Sequence, residues 1–182
     1  MEQEGTTVTV KTHIVSSLVF GIAIAKSLSF IGVSFETVNT FYIYLFAVAF
    51  GATFPDIDEP HSYIGRKMPI FSHILSLFVE HRGITHTVLL ISLYYIIVNF
   101  YATNLIYKII GIGFIVGNVG HVIGDMTTRS GVAIFYPIYN ENIGLLPKEF
   151  RYYTGSMVEY AVILPAFSVI LFYQLYNISL TL

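Results

Sequence analysis

Long runs without a formal charge constrain this chain more than any other feature. Residues 160–182, 83–107 and 37–55 contain no Asp, Glu, Lys or Arg, and residues 109–124 are uncharged apart from His121. A helix needs about 20 apolar residues to cross the hydrocarbon core of a bilayer. Residues 14–34 form a further candidate, interrupted only by Lys26, which can snorkel or pair. The pattern predicts about five transmembrane helices, at 14–34, 38–54, 84–101, 105–124 and 157–177. The expected fold is therefore all-α and polytopic, a single integral-membrane domain over residues 1–182. Composition agrees: charged residues make up 11% of the chain, against about 25% in an average soluble domain. Such a chain lacks the polar residues needed to cover a water-exposed surface.

Other classes fall away on the same counts. The formal net charge of −2 argues against a nucleic-acid partner. Cysteine is absent, so disulfides and thiolate metal sites are excluded, and a metal would have to rest on His and carboxylates. The leading segment Met1–Val10 carries Glu2 and Glu4 and no Lys or Arg, unlike a signal peptide, so the first span is expected to be retained. Nothing in the sequence sets an oligomeric state.

Two long polar segments interrupt the spans, 55–83 and 126–156. Both carry aromatic and aliphatic residues and are expected to fold back onto the bundle. Within the first, Phe71–Val79 is too short to span and reads as an interfacial helix. With five spans, the N-terminus and both long loops fall on one side. That side collects His13, Asp56, Asp58, Glu59, His61, His73, Glu80, His81, His86, His121 and Asp125, including every histidine of the chain. It also holds Lys11, Arg66, Lys67, Arg82, Arg129, Lys148 and Arg151, whereas Lys108 flanks the other side. The positive-inside rule makes the histidine-rich side cytoplasmic, in a cell membrane.

Three clusters carry the chemistry. In Phe54-Pro55-Asp56-Ile57-Asp58-Glu59-Pro60, acids held between two prolines make a stiff negative patch able to bind a cation, although a solvated acidic turn has the same composition. In Glu80-His81-Arg82-Gly83-Ile84-Thr85-His86, the two histidines lie five residues apart, about 140° around an ideal helix. They converge only if Gly83 breaks the helix, leaving His81 before it and His86 in its first turn. In Gly120-His121-Val122-Ile123-Gly124-Asp125, His121 and Asp125 stand at i, i+4 on one helix face. That spacing lets an imidazole and a carboxylate ligate one ion, or lets the carboxylate orient a histidine. Gly113, Gly117, Gly120 and Gly124 read as a close-packing stripe. Arg66, Arg82 and Arg129 suit an anionic substrate group, or equally lipid headgroups and topology.

Taken together, His13, the run from Pro55 to Arg66, His81-Arg82-Gly83-Ile84-Thr85-His86 and Gly120 to Asp125 resemble the YdjM-like family of membrane-bound, metal-dependent hydrolases. The resemblance covers about His13 to Pro137. Phe54 stands where the family favours Leu, and Thr87 where it favours Ser. A more distant likeness is to the all-helical zinc-dependent phospholipases C, whose ligand order is similar to His13, Asp56, His86, His121 and Asp125. The further ligands of that three-metal cluster have no counterpart after Asp125, and Glu159 lies far off in the last span. The resemblance therefore implies one or two divalent ions, most readily Zn²⁺, on His13, Asp56, His86, His121 and Asp125. Asp58 and His81 would be further ligands or general base and acid, with Arg66, Arg82 and Arg129 steadying developing charge. The implied activity is hydrolysis of a phosphoester or phospholipid headgroup by a metal-activated water. The rivals are a divalent-metal or proton-coupled transporter, also built on intramembrane His and Asp, and a membrane scaffold in which the cluster is only structural.

Overall fold

The computed structural model describes the backbone of residues 2–79 and 82–181, and side chains over 10–79 and 82–178. Seven α-helices are present among them: α1 (Glu2–Ile24), α2 (Val38–Gly51), α3 (Tyr63–Lys67), α4 (Pro69–Ser76), α5 (Val88–Tyr101), α6 (Leu105–Met126) and α7 (Leu164–Thr181). A 3₁₀ turn over Ala25–Ile31 prolongs α1, and a π turn over Glu159–Ile163 leads into α7. No strand occurs among the described residues, and the protein is an all-α polytopic membrane protein.

Local sequence sets the helix boundaries. Gly32, at φ +73, ends the 3₁₀ turn in a left-handed conformation that a side chain would resist. Thr37 and Thr40 then form a reciprocal capping box at the start of α2. Thr87 caps α5 through the Leu90 N–H at 3.2 Å, and Asn104 caps α6 through the Tyr107 N–H at 2.9 Å.

Helix α6 is the centre of the bundle and packs on α1, α2 and α5. Glycine permits the close approach to α2: a Cβ at Gly117 would overlap the Val48 carbonyl, and one at Gly113 would lie 2.8 Å from the Tyr44 carbonyl oxygen. Tyr44, Val48, Ile109, Ile112 and Val116 form the buried seam between them. The Tyr44 hydroxyl donates to the Gly21 carbonyl at 3.0 Å and ties α1 to the pair. The outer faces are apolar and uncovered, with Phe46, Phe100 and Phe172 each more than 70% exposed. A bilayer accommodates such a surface; water does not.

Among the described residues, four helical segments are long and apolar enough to cross a membrane: Val10–Ile31, Val38–Asp58, Leu105–Met126 and Glu159–Ile178. The segment expected at 84–101 is shorter. Its helix begins only at Val88 and runs 14 residues, roughly 21 Å at 1.5 Å per residue. Residues 84–87 are used in a 3₁₀ turn and a cap instead. Because residues 102–104 alone separate α5 from α6, α5 reaches the same far end as the start of α6. Its shortfall is therefore at the near end, where a recess forms.

Both long loops fold back over that end. Residues 55–58 form a 3₁₀ turn directly below α2, followed by α3 and α4. The α4 helix, placed within the segment expected to lie at the interface, exposes Ile70 and Ile74. In the second loop, Val132 pairs with Ile143 through two backbone hydrogen bonds of 3.0 and 2.8 Å. Val132 itself is buried against Val122 and Met126 of α6.

Candidate metal centre

The recess at the near end gathers side chains from four parts of the chain. His13 comes from α1, Asp56 from the turn below α2, His86 from the turn before α5, and His121 and Asp125 from the last turns of α6. His13, His86, His121 and Asp125 are all buried, while the Asp56 side chain remains 21% exposed. His121 lies five residues inside the end of α6, roughly 7–8 Å along its axis.

Four donor atoms converge. His86 Nε2 and His121 Nε2 are 3.3 Å apart. His86 Nε2 lies 3.6 Å from Asp56 Oδ1 and 3.4 Å from Asp125 Oδ2. His121 Nε2 lies 3.4 Å from Asp56 Oδ1 and 3.5 Å from Asp125 Oδ2. A tetrahedral zinc with ligands at about 2.0–2.2 Å places its donors about 3.3–3.6 Å from one another. Octahedral magnesium at about 2.1 Å would need donors only about 3.0 Å apart, and prefers oxygen. The five separations fit the first geometry within each of two triads that share His86 and His121, one completed by Asp56 and the other by Asp125. Asp125 Oδ2 is buried and has no hydrogen-bond partner, a costly arrangement for a carboxylate oxygen unless a cation faces it.

The surrounding contacts fix which atoms point inward. His121 Nδ1 lies 2.7 Å from the Ala52 carbonyl oxygen, to which it donates. His86 Nδ1 lies 2.9 Å from Thr85 Oγ1, and that hydroxyl donates to Asp58 Oδ2 at 2.6 Å. In both rings Nδ1 is thereby the protonated nitrogen and Nε2 presents its lone pair, as metal-bound histidines require. His86 lies in a turn ahead of α5. Burial alone would lower its pKa, but the Asp125 and Asp56 carboxylates facing Nε2 favour the protonated ring, outweigh burial and raise the value above that of a free imidazole.

The structure distributes the expected site residues unequally. Asp56, His86, His121 and Asp125 supply the four converging atoms. His13 stacks on His121, ring centroids 4.0 Å apart, with Nε2 3.5 Å from the other Asp125 oxygen, Oδ1. His13, His121 and Asp125 thus form a second, overlapping group of potential ligands. Arg82 also binds Oδ1, through an N–H at 2.9 Å, and this guanidinium competes with any cation placed there. Asp58 is not in the converging set. It lies behind His86, its Oδ2 4.0 Å from Nδ1, and accepts from Thr85 and from the Arg82 backbone N–H at 3.3 Å. Arg66 lies apart, exposed and donating to the His61 carbonyl. Arg129 is likewise exposed and lies 4.8 Å above the Tyr153 ring. Among the other histidines, His61 and His73 are exposed, and His81 lies outside the described residues with Glu80. Arg82 adopts φ +64, turning the chain into the site ahead of Gly83. His86 therefore sits before its helix rather than in the first turn.

Some contributing residues carry no sequence signal. The Ala52 carbonyl and the Thr85 hydroxyl are visible only in three dimensions. Glu159, distant in sequence, is brought to this same end: it is buried, accepts from the Gly155 N–H at 2.7 Å, and acts electrostatically on Tyr152. The Tyr152 hydroxyl accepts from Thr127, two residues beyond Asp125. Burial pushes the Tyr152 phenol upward, partly offset by that hydrogen bond.

Fold and recess together define a polytopic helical membrane protein with a buried His–Asp centre near one face. The chain belongs to the YdjM inner membrane protein family, whose profile matches residues 8–180. It is 36% identical to the uncharacterized protein YvsG of Bacillus subtilis over 89 residues, covering 49% of this chain and 54% of that protein. It is 30% identical to the inner membrane protein YdjM of Escherichia coli over 90 residues, covering 46% of this chain and 43% of that one. Each match thus spans about half of the relative's length. No solved structure matches the chain.

Proposed function

We propose that this protein is a membrane-bound, metal-dependent hydrolase acting on a phosphoester, with a single zinc-type ion held by Asp56, His86, His121 and Asp125. The observation that carries the reading is the set of five separations of 3.3–3.6 Å that link the donor atoms of these residues, with Asp125 Oδ2 buried and without a hydrogen bond. Such an ion, when bound, lowers the pKa of water toward about 7 and polarises a phosphoryl oxygen. The protein's own residues do the rest. Thr85 and Asp58 hold His86 in the required tautomer, and the Ala52 carbonyl does so for His121. Arg82 anchors Asp125 and has a buried Nε without a partner, a donor suited to a phosphoryl oxygen. The partly exposed Asp56 gives water a route to the centre.

The excess of Lys and Arg at the loop-bearing end supports a cytoplasmic orientation. The offset of the centre toward one end of α6 supports hydrolysis over transport, which favours a site near the midplane. The test is release of headgroup or phosphate from phospholipid vesicles and from soluble phosphoesters by zinc-loaded protein. Turnover that stops on chelation and in His121→Ala is the expected result. Stoichiometric zinc without turnover of either substrate class would overturn the hydrolase reading, and zinc flux into sealed vesicles would replace it with transport.

A further inference from the structure

A cavity of about 340 Å³ runs beside the metal centre between α1, α6 and the start of α7, within the range of about 300–1,000 Å³ usual for small-molecule sites. Its two ends differ in chemistry. The end at the centre is lined by His13, Thr127 and Tyr152, and the other by Val19, Phe20, Ala23 and Phe167. His13 belongs to both the cavity and the centre, and its Nδ1 is buried without a hydrogen-bond partner. On α1 the lining runs from Thr12 to Ala23, a rise of roughly 16 Å. That is half of a hydrocarbon core of about 30 Å. The cavity therefore begins at headgroup level and ends near the midplane. Ala23 and Ile123 on its wall are exposed, which leaves a lateral opening between α1 and α6 for a chain to enter.

We infer that this cavity seats one acyl chain of a glycerophospholipid, with the phosphate end of the lipid presented to His13, Arg82 and the metal centre. The apolar end has the length and depth of one leaflet, and only a lipid supplies a chain at that depth joined to a phosphoester at the face. Glycines shape the polar end: a Cβ at Gly124 would lie 2.9 Å from His13 Nδ1, and one at Gly120 would crowd Ser17. The fate of the headgroup rests on the hydrolase reading; occupancy of the cavity by the chain does not.

The experiment uses the full chain in nanodiscs of phosphatidylethanolamine and phosphatidylglycerol. The probe is a phosphatidylethanolamine carrying a diazirine near the end of one acyl chain, and mass spectrometry locates the photoadducts. Labelling is expected to concentrate at Val19, Phe20, Ala23 and Phe167. In Ala23→Trp, which fills the apolar end without touching the metal ligands, it should fall to the level seen on outward-facing α5 residues such as Phe100. Val19→Phe serves if Ala23→Trp does not fold, and unchanged zinc content marks an intact centre in either variant. Adducts spread evenly over the lipid-facing surface and insensitive to both variants would overturn the inference. Cavity labelling without turnover would uphold it while refuting the hydrolase.

Discussion

Replacing Thr85 by Val isolates the contact that orients His86. The Thr85 hydroxyl receives His86 Nδ1–H at 2.9 Å and donates to Asp58 at 2.6 Å. Valine keeps the volume and removes both bonds. The bond to the Asp58 carboxylate contributes about 1.5–3 kcal/mol to stability, and its loss leaves a buried acceptor. Metal affinity responds to a different part of the change. Without the Thr85 acceptor, Nδ1 of His86 loses the bond that fixes its tautomer, and loss of such an outer contact typically weakens metal binding 10–100-fold, or about 1.4–2.7 kcal/mol. Thr85→Ser restores the hydroxyl and should recover most of that affinity. The assay is competition for zinc between the purified protein and a chromophoric chelator, with Tm measured alongside. A folded Thr85→Val protein that binds zinc as tightly as the parent would refute the argument that Asp58 acts through Thr85 on His86.

Other consequences are direct. Arg66→Ala and Arg129→Ala should leave zinc affinity within about twofold of the parent, because neither side chain reaches the centre and exposed contacts contribute little; a tenfold loss in the same chelator assay would contradict their placement. Gly117→Ala should lower thermal stability sharply, by about 3 kcal/mol or more, since the added methyl meets the α2 backbone rather than a movable side chain. A Tm unchanged from the parent would show that α2 and α6 pack less closely. Zinc affinity should fall as pH drops, because binding requires neutral imidazoles. The raised His86 pKa starts that loss at a higher pH than an exposed histidine would, and a flat affinity from pH 8 to 6 would contradict it. The chain lacks cysteine, so Ile138→Cys gives a single thiol in the second long loop. It should react with an impermeant maleimide only from the cytoplasmic side, and labelling of intact cells from outside would reverse the topology.

The spans and the side carrying the chemistry were legible because both follow from one-dimensional quantities. Charge-free length sets where helices cross, and counting crossings assigns His13, Asp56, His86 and Asp125 to one end. The i, i+4 spacing of His121 and Asp125 likewise carries its geometry in the sequence. What escaped depends on chain direction at single residues. A break at Gly83 was readable, but not its extent: the helix starts only at Val88, so His86 drops into the recess ahead of it, and no hydropathy window resolves that. Asp56 and Asp58 look equivalent in sequence, yet the 3₁₀ turn over Pro55–Asp58 aims one at the donors and the other at Thr85. The arginines were separable only by reach: Arg82 meets Asp125, whereas Arg66 and Arg129 find partners in their own loops. Glu159 needed the packing of α7 against α1 to be brought near.

The central claim is that these four side chains hold a transition-metal ion inside a membrane bundle. Elemental analysis of the purified full-length chain, beside His121→Ala, tests it most directly. About one zinc-type ion per chain is expected in the parent, and its loss in the variant. Absence of a bound transition metal from both proteins, each folded and supplied with zinc, would contradict it.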